Sequence, residues 1–338
     1  MLSPLAPLRA LDRFIRLHFF GFTALLILLG ACSVDRDPGA RSIATLLVIG
    51  LCFHVFAYVF NDVIDLPVDR THPDRQADPL VRGTITPGQA LFVALVQIPI
   101  ALGVAWWFDA SAPALLVLSF GFAAMAVYDL WGKRSPIPPL TDLAQGLAWG
   151  SLALFAALAL GREPNLLTWV ATAHGVGFIF LINGVHGGLR DLDNDLARRR
   201  LTTASYFGAR PGLPLGRSLR RFAMAIQIAM IAVNLLALST GAFEFSRLAA
   251  LVVFVLVVAL SLACLVYMVR VFEVGDPRWA RDFRVHLALL QAPPMVMFAA
   301  HMALAPALLM FATMIWAFLF LDVTWEIARA LVRRGARG

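Results

Sequence analysis

The sequence predicts an all-α fold, a polytopic membrane bundle of about nine or ten transmembrane helices. Of its 338 residues, 60% are hydrophobic and only 14% are charged, and the mean hydropathy is +0.79. A soluble globular domain has about 45–50% apolar and about 25% charged residues. The composition therefore excludes a soluble enzyme and a disordered chain, and three cysteines in apolar runs do not indicate a disulfide scaffold.

Ten apolar runs have the length that a membrane-spanning helix needs, about 20 residues. They cover residues 14–33, 43–60, 89–108, 112–130, 143–160, 167–189, 221–242, 247–269, 285–303 and 305–321. Each is far longer than a membrane β-strand of about 9–11 residues, which favours helices over a barrel. Pro293 and Pro294 kink the ninth run and Pro306 opens the tenth, so this division is the least defined. We expect one integral-membrane domain over residues 1–338, with 305–323 as an additional C-terminal span.

Basic residues indicate the topology. If the N-terminus is cytoplasmic and the runs alternate, 24 of the 28 Lys and Arg fall on the cytoplasmic side. This predicts cytoplasmic termini and cytoplasmic active-site loops in the cell inner membrane. The formal charge of +7 is then explained by topology, and no nucleic acid partner is expected.

Acidic residues form two groups, each directly after an apolar run on the predicted cytoplasmic side. On a helix, Asp62, Asp65 and Asp69 lie within about 60° of arc, and Asp191 and Asp195 are one turn apart. Repelling carboxylates at the membrane are costly, and oxygen-only ligands are typical of Mg²⁺. The predicted metal ligands are Asp62, Asp65, Asp69, Asp191 and Asp195. The alternative is that these are solvated acids at helix ends, and Pro67 would break the first helix near Val63.

Arginines accompany both acidic groups. Arg70, Arg75 and Arg82 follow the first group, and Arg190 precedes the second. Arginine side chains match the geometry of phosphate oxygens. Lys133 is the single lysine of the chain. The pattern predicts a ligand that carries phosphate groups.

At these residues the chain resembles the UbiA superfamily of intramembrane prenyltransferases. The residues that carry the resemblance are Asn61-Asp62-x-x-Asp65-x-x-x-Asp69, Arg190-Asp191-x-x-x-Asp195, Thr202-Thr203 to Gly208, and Tyr128 with Lys133. It covers the chain from about Arg16 to the end of the eighth run. It implies a helical bundle around a central cavity that opens laterally to lipid. It also implies that the Asp motifs bind Mg²⁺ and the diphosphate of an isoprenoid substrate, with Asn61, Arg16, Arg70, Arg75, Lys133 and Arg190 at the diphosphate.

Two departures from the family pattern concern the substrate. Asp78-Pro79-Leu80 stands where the family commonly has Arg-Pro-Leu, which puts the usual donor in question. Gly187-Gly188 replaces the usual Asn before the second motif, with Asn183 and His186 nearby.

The resemblance implies Mg²⁺-dependent transfer of a prenyl group from an isoprenoid diphosphate to a lipophilic acceptor, either an aromatic compound, a quinone precursor or a lipid. The catalytic candidates are Asp65, Asp191 and Tyr58, whose ring would stabilise a carbocation. His54 lies on the same side of the second helix and is a candidate base. The alternatives are a UbiA-type terpene cyclase, a phosphoribosyl donor, and a cation-coupled transporter.

Overall fold

The structure, a computed structural model, describes residues 6–72, 75–243, 245–273 and 279–317. These residues form fourteen α-helices, two short 3-10 turns and one π-helical turn, with no β-strand in the described ranges. The helices are α1 Ala6–Ile15, α2 Phe20–Val34, α3 Ala40–Asp69, α4 Pro87–Trp107, α5 Ala112–Trp131, α6 Pro138–Ala159, α7 Leu166–Leu181, α8 Gly188–Arg190, α9 Leu192–Ala197, α10 Thr203–Tyr206, α11 Arg217–Ser239, α12 Arg247–Glu273, α13 Trp279–His301 and α14 Leu304–Ala317.

Eight helices within these ranges are long and apolar enough to cross a membrane. They are Leu17–Val34, Ala40–Asp69, Pro87–Trp107, Ala112–Trp131, Pro138–Ala159, Leu166–Arg190, Arg217–Ser239 and Arg247–Arg270. The ninth and tenth apolar runs correspond to two shorter apolar helices, Val285–His301 and Leu304–Ala317. The predicted membrane helical bundle is therefore confirmed. The predicted C-terminal span at 305–323 is described only as far as residue 317.

Helix α3 is the longest of the eight, with 30 residues. At a rise of about 1.5 Å per residue it is about 45 Å long, whereas the hydrocarbon core is about 30 Å thick. Its C-terminal turns, which carry the first acidic group, therefore extend past the apolar layer. The expectation that Pro67 breaks the helix is wrong, because α3 continues to Asp69 with Pro67 inside it. Pro67 is exposed and only two residues from the end of the helix, so the hydrogen bond to the Val63 carbonyl is lost there without ending α3.

The centre of the bundle consists of α2, α3 and α6, which are more buried than α4, α11 and α12. Small residues let these central helices approach closely. A Cβ on Gly30 of α2 would lie 2.1 Å from the carbonyl oxygen of Ala153 on α6. A Cβ on Gly146 would lie 2.7 Å from the carbonyl oxygen of Val176 on α7. Close backbone contacts at small residues are typical of membrane helices and fix α6 between its two neighbours.

The second acidic group lies in an irregular segment. Helix α7 ends in a π-helical turn, Ile182–Gly187, which is followed by α8 and α9. Asp191 interrupts the helix between α8 and α9, although its backbone N–H still donates to Gly187. Single π-turns are frequent at functional sites. The local change of helix pitch sets the direction in which Asp191 and Asp195 project.

Candidate active site

One large cavity lies at the end of the bundle where α3 ends and α6 begins. It is open to the surface, and its empty space, counted together with the solvent at its open mouth, is about 1510 Å³. Its wall includes residues of both acidic groups, which are Asn61, Asp65, Asp69, Asp191, Asn194 and Asp195. The two groups are therefore brought together, as the sequence predicted.

The first motif faces the cavity along one side of α3. Tyr58, Asn61, Asp65 and Asp69 follow one another at spacings of three and four residues, which places them on one helix face. Asn61 donates a hydrogen bond from its amide nitrogen to Asp129 Oδ1 of α5 at 2.9 Å. An amide held in this way presents its carbonyl oxygen on the side away from Asp129. The first motif thus lines the cavity with oxygen atoms.

Asp62 has a different position from the other carboxylates of its group. Its buried side chain forms an ion pair with Arg16, and it does not belong to the cavity wall. Arg16 precedes α2 in a left-handed backbone conformation with φ of 51°, and its guanidinium lies 5.2 Å from the centre of the Tyr58 ring. Arg16 itself lines the cavity. The sequence placed Asp62 among the metal ligands because it lies near Asp65 on the helix, but here Asp62 stabilises Arg16.

The second motif lines the opposite side of the cavity. Asp195 is buried, and Asp191 is partly exposed at the cavity mouth. Arg190 binds Asp191 with two hydrogen bonds, from Nε at 2.8 Å and from Nη2 at 2.7 Å. Asp193 is exposed and points away, as predicted from the helical spacing.

Direct contacts join the two motifs. His72, which follows α3, lies 3.5 Å from Asp191 Oδ1. Thr71 donates to Asn194 Oδ1 at 3.2 Å, and Arg198 Nε donates to the Thr71 hydroxyl at 3.2 Å. The sequence did not reveal His72 as a site residue, and its only signal was a titratable side chain three residues after Asp69. These bonds hold the end of α3 against α9.

Two of the predicted arginines reach the cavity from its mouth. Arg75 and Arg190 both belong to the wall. Arg75 is held by Asp78 at 3.3 Å, the residue that departs from the family pattern. Burial lowers the pKa of Arg75, but Asp62, Asp69 and Asp78 outweigh it and raise the pKa above its ordinary value. Arg75 is therefore a permanent positive charge beside the carboxylates.

Two other basic residues were predicted to bind the diphosphate, Arg70 and Lys133. Arg70 is exposed at the end of α3 and is not part of the cavity wall. The structure thus does not bring Arg70 to the site, because the helix ends with its side chain on the outer face. Lys133 lies in the 3-10 turn Gly132–Arg134 that enters the mouth region. Its side chain lies outside what the structure describes.

Aromatic side chains surround the deeper part of the cavity. Tyr58 stacks on Phe19 at 6.0 Å and packs edge-on against Trp149 at 5.8 Å between ring centres. Phe22 and Phe178 line the same region and contact each other at 5.7 Å. This wall combines low polarity with π faces, which stabilise a cation without reacting with it.

His54 does not support the expectation of a base. It is fully buried behind Tyr58 and does not belong to the cavity wall. Its Nδ1 is hydrogen-bonded to Thr23 Oγ1 at 2.9 Å, and its Nε2 to the backbone oxygen of Arg16 at 3.0 Å. Both ring nitrogens are used in holding α2, α3 and Arg16 together.

Helix α6 contributes polar groups that the sequence reading did not identify. Asp142, Gln145 and Trp149 all line the cavity. A helical wheel of the run at 143–160 would have shown Gln145 and Trp149 on one face. Such a pattern does not reveal what that face contacts, so these residues were missed.

The site fits a divalent cation that is shared with a ligand. Within the described residues, no three His, Cys, Asp or Glu side chains are close enough to hold a metal ion by themselves. Mg²⁺ in phosphate-binding sites is typically held by one or two carboxylates and by substrate oxygens. The oxygen-only donors on both sides of the cavity match that chemistry.

Comparisons with known proteins identify the family. The model of the UbiA prenyltransferase family matches residues 20–290. A decaprenyl-phosphate phosphoribosyltransferase from Corynebacterium glutamicum is 24% identical over 156 residues, which is 46% of this chain and 46% of the relative. The chain thus spans less than half the length of that relative.

Solved structures share the fold. The apo structure of a UbiA homolog from Aeropyrum pernix K1 has a TM-score of 0.62 and 16% identity, and it covers 83% of this chain and 96% of its own. A UbiA homolog from Archaeoglobus fulgidus bound to GPP and Mg²⁺ has a TM-score of 0.57 and 15% identity, and it covers 85% of this chain and 99% of its own. The match over most of the chain, together with the two Asp motifs on one cavity, shows that this protein belongs to the UbiA prenyltransferase family.

Proposed function

We propose that this protein is a Mg²⁺-dependent membrane prenyltransferase, which transfers the prenyl group of an isoprenoid diphosphate to a lipophilic acceptor. The observation that carries the proposal is the meeting of Asp65 and Asp69 with Asp191 and Asp195 on one cavity. The homolog from Archaeoglobus fulgidus, which shares the fold, is bound to GPP and Mg²⁺, and this supports a metal ion and a diphosphate as ligands.

Carboxylates from both motifs would hold the metal together with oxygens of the substrate. Asp65 and Asp69 approach from α3, and Asp191 and Asp195 approach from the other side. Asp62, the fifth predicted ligand, is assigned to the ion pair with Arg16. When bound, a divalent cation neutralises the diphosphate and makes it a better leaving group.

Arg75 and Arg190 would bind the diphosphate at the cavity mouth. Both guanidinium groups are already oriented by carboxylates, Arg75 by Asp78 and Arg190 by Asp191. Their forked donors match phosphate oxygens. Asn61, whose amide nitrogen donates to Asp129, would offer its carbonyl oxygen to the metal ion beside the diphosphate. The two guanidinium groups would stabilise the negative charge that grows on the diphosphate as the C1–O bond breaks.

Tyr58 and Trp149 would face the prenyl cation. Their rings lie 5.8 Å apart, one turn or more deeper than Asn61, in the aromatic part of the cavity. An aromatic wall stabilises positive charge and excludes the water that would capture it. Tyr58 is held by the cation–π contact with Arg16.

The test uses purified protein in detergent with geranyl diphosphate, Mg²⁺ and a panel of aromatic and glycerol-type acceptors. We expect diphosphate release that requires an acceptor, and a product whose mass equals acceptor plus prenyl group. A cyclic product formed without any acceptor would replace this function by terpene cyclisation. No diphosphate release with any pair would contradict the proposed function and favour transport.

A second candidate is transfer of a phosphoribosyl group to a polyprenyl phosphate. The likeness to the phosphoribosyltransferase of Corynebacterium glutamicum favours it, as does Asp78 in place of the usual Arg. Incubation with phosphoribosyl diphosphate and decaprenyl phosphate distinguishes the two functions. A phosphoribosylated lipid would support this candidate, whereas prenylation of an acceptor supports the first.

We also infer the orientation of the protein. The chain is a multi-pass membrane protein, and the distribution of its basic residues supports a cytoplasmic location for the cavity mouth, in the cell inner membrane.

A further inference from the structure

Helix α6 presents a row of polar side chains to the cavity. Asp142, Gln145 and Trp149 are spaced by three and four residues, and all three belong to the cavity wall. This spacing places them along one face of the helix, over about 10 Å. The row runs from the cavity mouth into the aromatic region.

Two atoms of this row have unused hydrogen-bonding capacity. Gln145 Oε1 and Trp149 Nε1 are buried and have no hydrogen-bond partner among the described residues. Their residues are only 8% and 3% exposed, respectively. Buried polar groups in native proteins are normally paired, since an unpaired group loses its bonds to water without replacement. An acceptor and a donor without partners, both on the wall of an open cavity, indicate a missing ligand.

The direction of the row is fixed by contacts on the other faces of α6. Thr203 donates its hydroxyl hydrogen bond to Asp142 Oδ2 and anchors the mouth end of the row. Gly146 and Gly150, about a quarter turn away on the helix, pack directly against the backbone of α7. Trp149 also packs edge-on against Phe53 at 5.3 Å. These contacts fix the orientation of α6, and with it the side of the helix that carries Gln145 and Trp149.

Gln145 and Trp149 lie close enough together to share one small group. Residues four apart on a helix have Cβ atoms about 5–6 Å apart. Gln145 offers an acceptor, and Trp149 offers an indole N–H donor. A hydroxyl group donates one hydrogen bond and accepts others, so a single hydroxyl satisfies both atoms.

The position of this pair relates it to the reaction that we propose. Trp149 contacts Tyr58, which lies one turn deeper on α3 than Asn61 and two turns deeper than Asp65. The pair is thus on the far side of the reacting region from the carboxylates and arginines. With the diphosphate at the mouth, the reacting carbon of the prenyl group would lie near Tyr58 and Trp149, where the attacking group of the second substrate must also lie.

We propose that Gln145 and Trp149 form the acceptor subsite and select an acceptor with a hydroxyl group, which donates to Gln145 Oε1 and accepts from Trp149 Nε1. This inference rests on the proposed transferase function. The hydroxyl belongs either to an aromatic ring or to a glycerol-type alcohol, and the same two bonds recognise both. The polar atoms of the two residues would determine which acceptor binds, while the ring of Trp149 would also face the prenyl cation.

The test measures binding by calorimetry with the full chain in detergent, Mg²⁺ and the unreactive analogue geranyl S-thiolodiphosphate. The probes are hydroquinone against 1,4-dimethoxybenzene for the aromatic arm, and glycerol 1-phosphate against its di-O-methyl ether for the alcohol arm. Variants are Gln145→Leu, which nearly keeps the side-chain volume, and Trp149→Phe, which keeps an aromatic ring but removes the indole N–H. Ser151→Ala is the matched control, since this buried hydroxyl on α6 already donates to Ala148 at 2.7 Å and does not line the cavity.

The wild type should bind one hydroxyl probe about tenfold more tightly than its ether, as expected for the loss of a buried hydrogen bond. Each of the two variants should abolish that preference, and Ser151→Ala should retain it. Equal binding of hydroxyl and ether, an unchanged preference in both variants, or no binding of any probe would overturn the inference. The probes are also titrated without the analogue, so failure of the analogue alone to bind counts against the proposed function only.

Discussion

Asp65 lies on α3 and Asp191 lies between α8 and α9, and both line the same cavity. The contacts between the two motifs involve residues that are close to them in the sequence. His72 and Thr71 touch Asp191 and Asn194, and Arg190 binds Asp191. Like charges brought together in this way repel, and positive groups compensate them. Contacts with the second motif therefore help to position the end of α3, and positively charged groups offset the repulsion between the carboxylates.

Removal of one carboxylate from either motif should slow turnover strongly. Asp65→Asn and Asp191→Asn keep side-chain size and should each lower kcat by about 10²–10³, the typical cost of losing one group that stabilises the growing charge, here through the metal ion. The measurement is diphosphate release by purified protein. Asp193→Asn is the control, because Asp193 is exposed and outside the cavity wall. Wild-type turnover in both variants would remove these carboxylates from the mechanism.

We predict that Asp129 contributes to substrate binding by holding the amide group of Asn61 in position. Its Oδ1 accepts the Asn61 amide at 2.9 Å, and the carboxyl is buried. Asp129→Leu leaves that amide unpaired, so we expect about tenfold weaker binding of geranyl S-thiolodiphosphate. Asp129→Asn retains an oxygen acceptor and should recover most of the affinity. If Leu and Asn at this position bind the analogue equally well, Asp129 does not position Asn61.

Helical periodicity predicted which residues share a face but not what that face contacts. Asp65, Asp69, Asp191 and Asp195 reach the cavity as predicted. Asp62 does not, because its direction on α3 meets Arg16, a residue distant in sequence that precedes α2. A pairing of this kind depends on the tertiary packing, which is not encoded in local spacing.

At the level of elements, α6 organises the site, because it packs on α2 and α7 and lines the cavity with its remaining face. The contacts with α2 and α7 use glycine, at Gly30 on α2 and at Gly146 and Gly150 on α6. Helix interfaces built on small residues tolerate little added volume. Changes at these glycines should therefore propagate to the cavity.

Gly30→Ala should destabilise the bundle. The new Cβ would lie 2.1 Å from the Ala153 carbonyl oxygen and 2.6 Å from its Cα, so α2 and α6 must separate. Overpacking of this kind costs typically about 1–3 kcal/mol, to be measured as a lower Tm in detergent. Gly103→Ala is the matched control, since a Cβ there meets nothing within 4 Å. An unchanged Tm for Gly30→Ala would contradict the close approach of α2 and α6.

The apolar runs predicted the spanning helices well because membrane helices carry a strong compositional signal. The run at 112–130 became Ala112–Trp131, and 247–269 became Arg247–Glu273. The π-helical turn Ile182–Gly187 was not predicted, since composition does not distinguish its hydrogen-bond pattern from that of an α-helix. The effect of Pro67 was overestimated, because the proline lies near the end of α3.

Across the whole molecule, charged residues gather at one end of the bundle, and the cavity opens there. Its polar mouth and aromatic interior match a substrate with a charged head and an apolar tail. From the positive-inside rule we propose that this end faces the cytoplasm. The diphosphate head of such a substrate would lie in the polar mouth, and its apolar tail would lie in the aromatic interior.

Cysteine labelling tests this orientation. Asp193→Cys lies at the cavity end and Glu163→Cys on the loop at the opposite end, and both positions are exposed. The native Cys32, Cys52 and Cys264 are free but buried and should label weakly. In intact cells a membrane-impermeant maleimide should label Glu163→Cys, and Asp193→Cys only after permeabilisation. The reverse pattern would invert the topology.

The central claim is that carboxylates from both motifs bind one metal ion together with the diphosphate of the substrate. Electron–nuclear double resonance with Mn²⁺ in place of Mg²⁺ tests this claim most directly. With geranyl diphosphate bound, the wild type and Asp193→Asn should show ³¹P coupling to the Mn²⁺ centre. Asp65→Asn and Asp191→Asn should each lose it. An undiminished ³¹P coupling in either of these two variants would show that only one motif holds the ligand and would contradict the account.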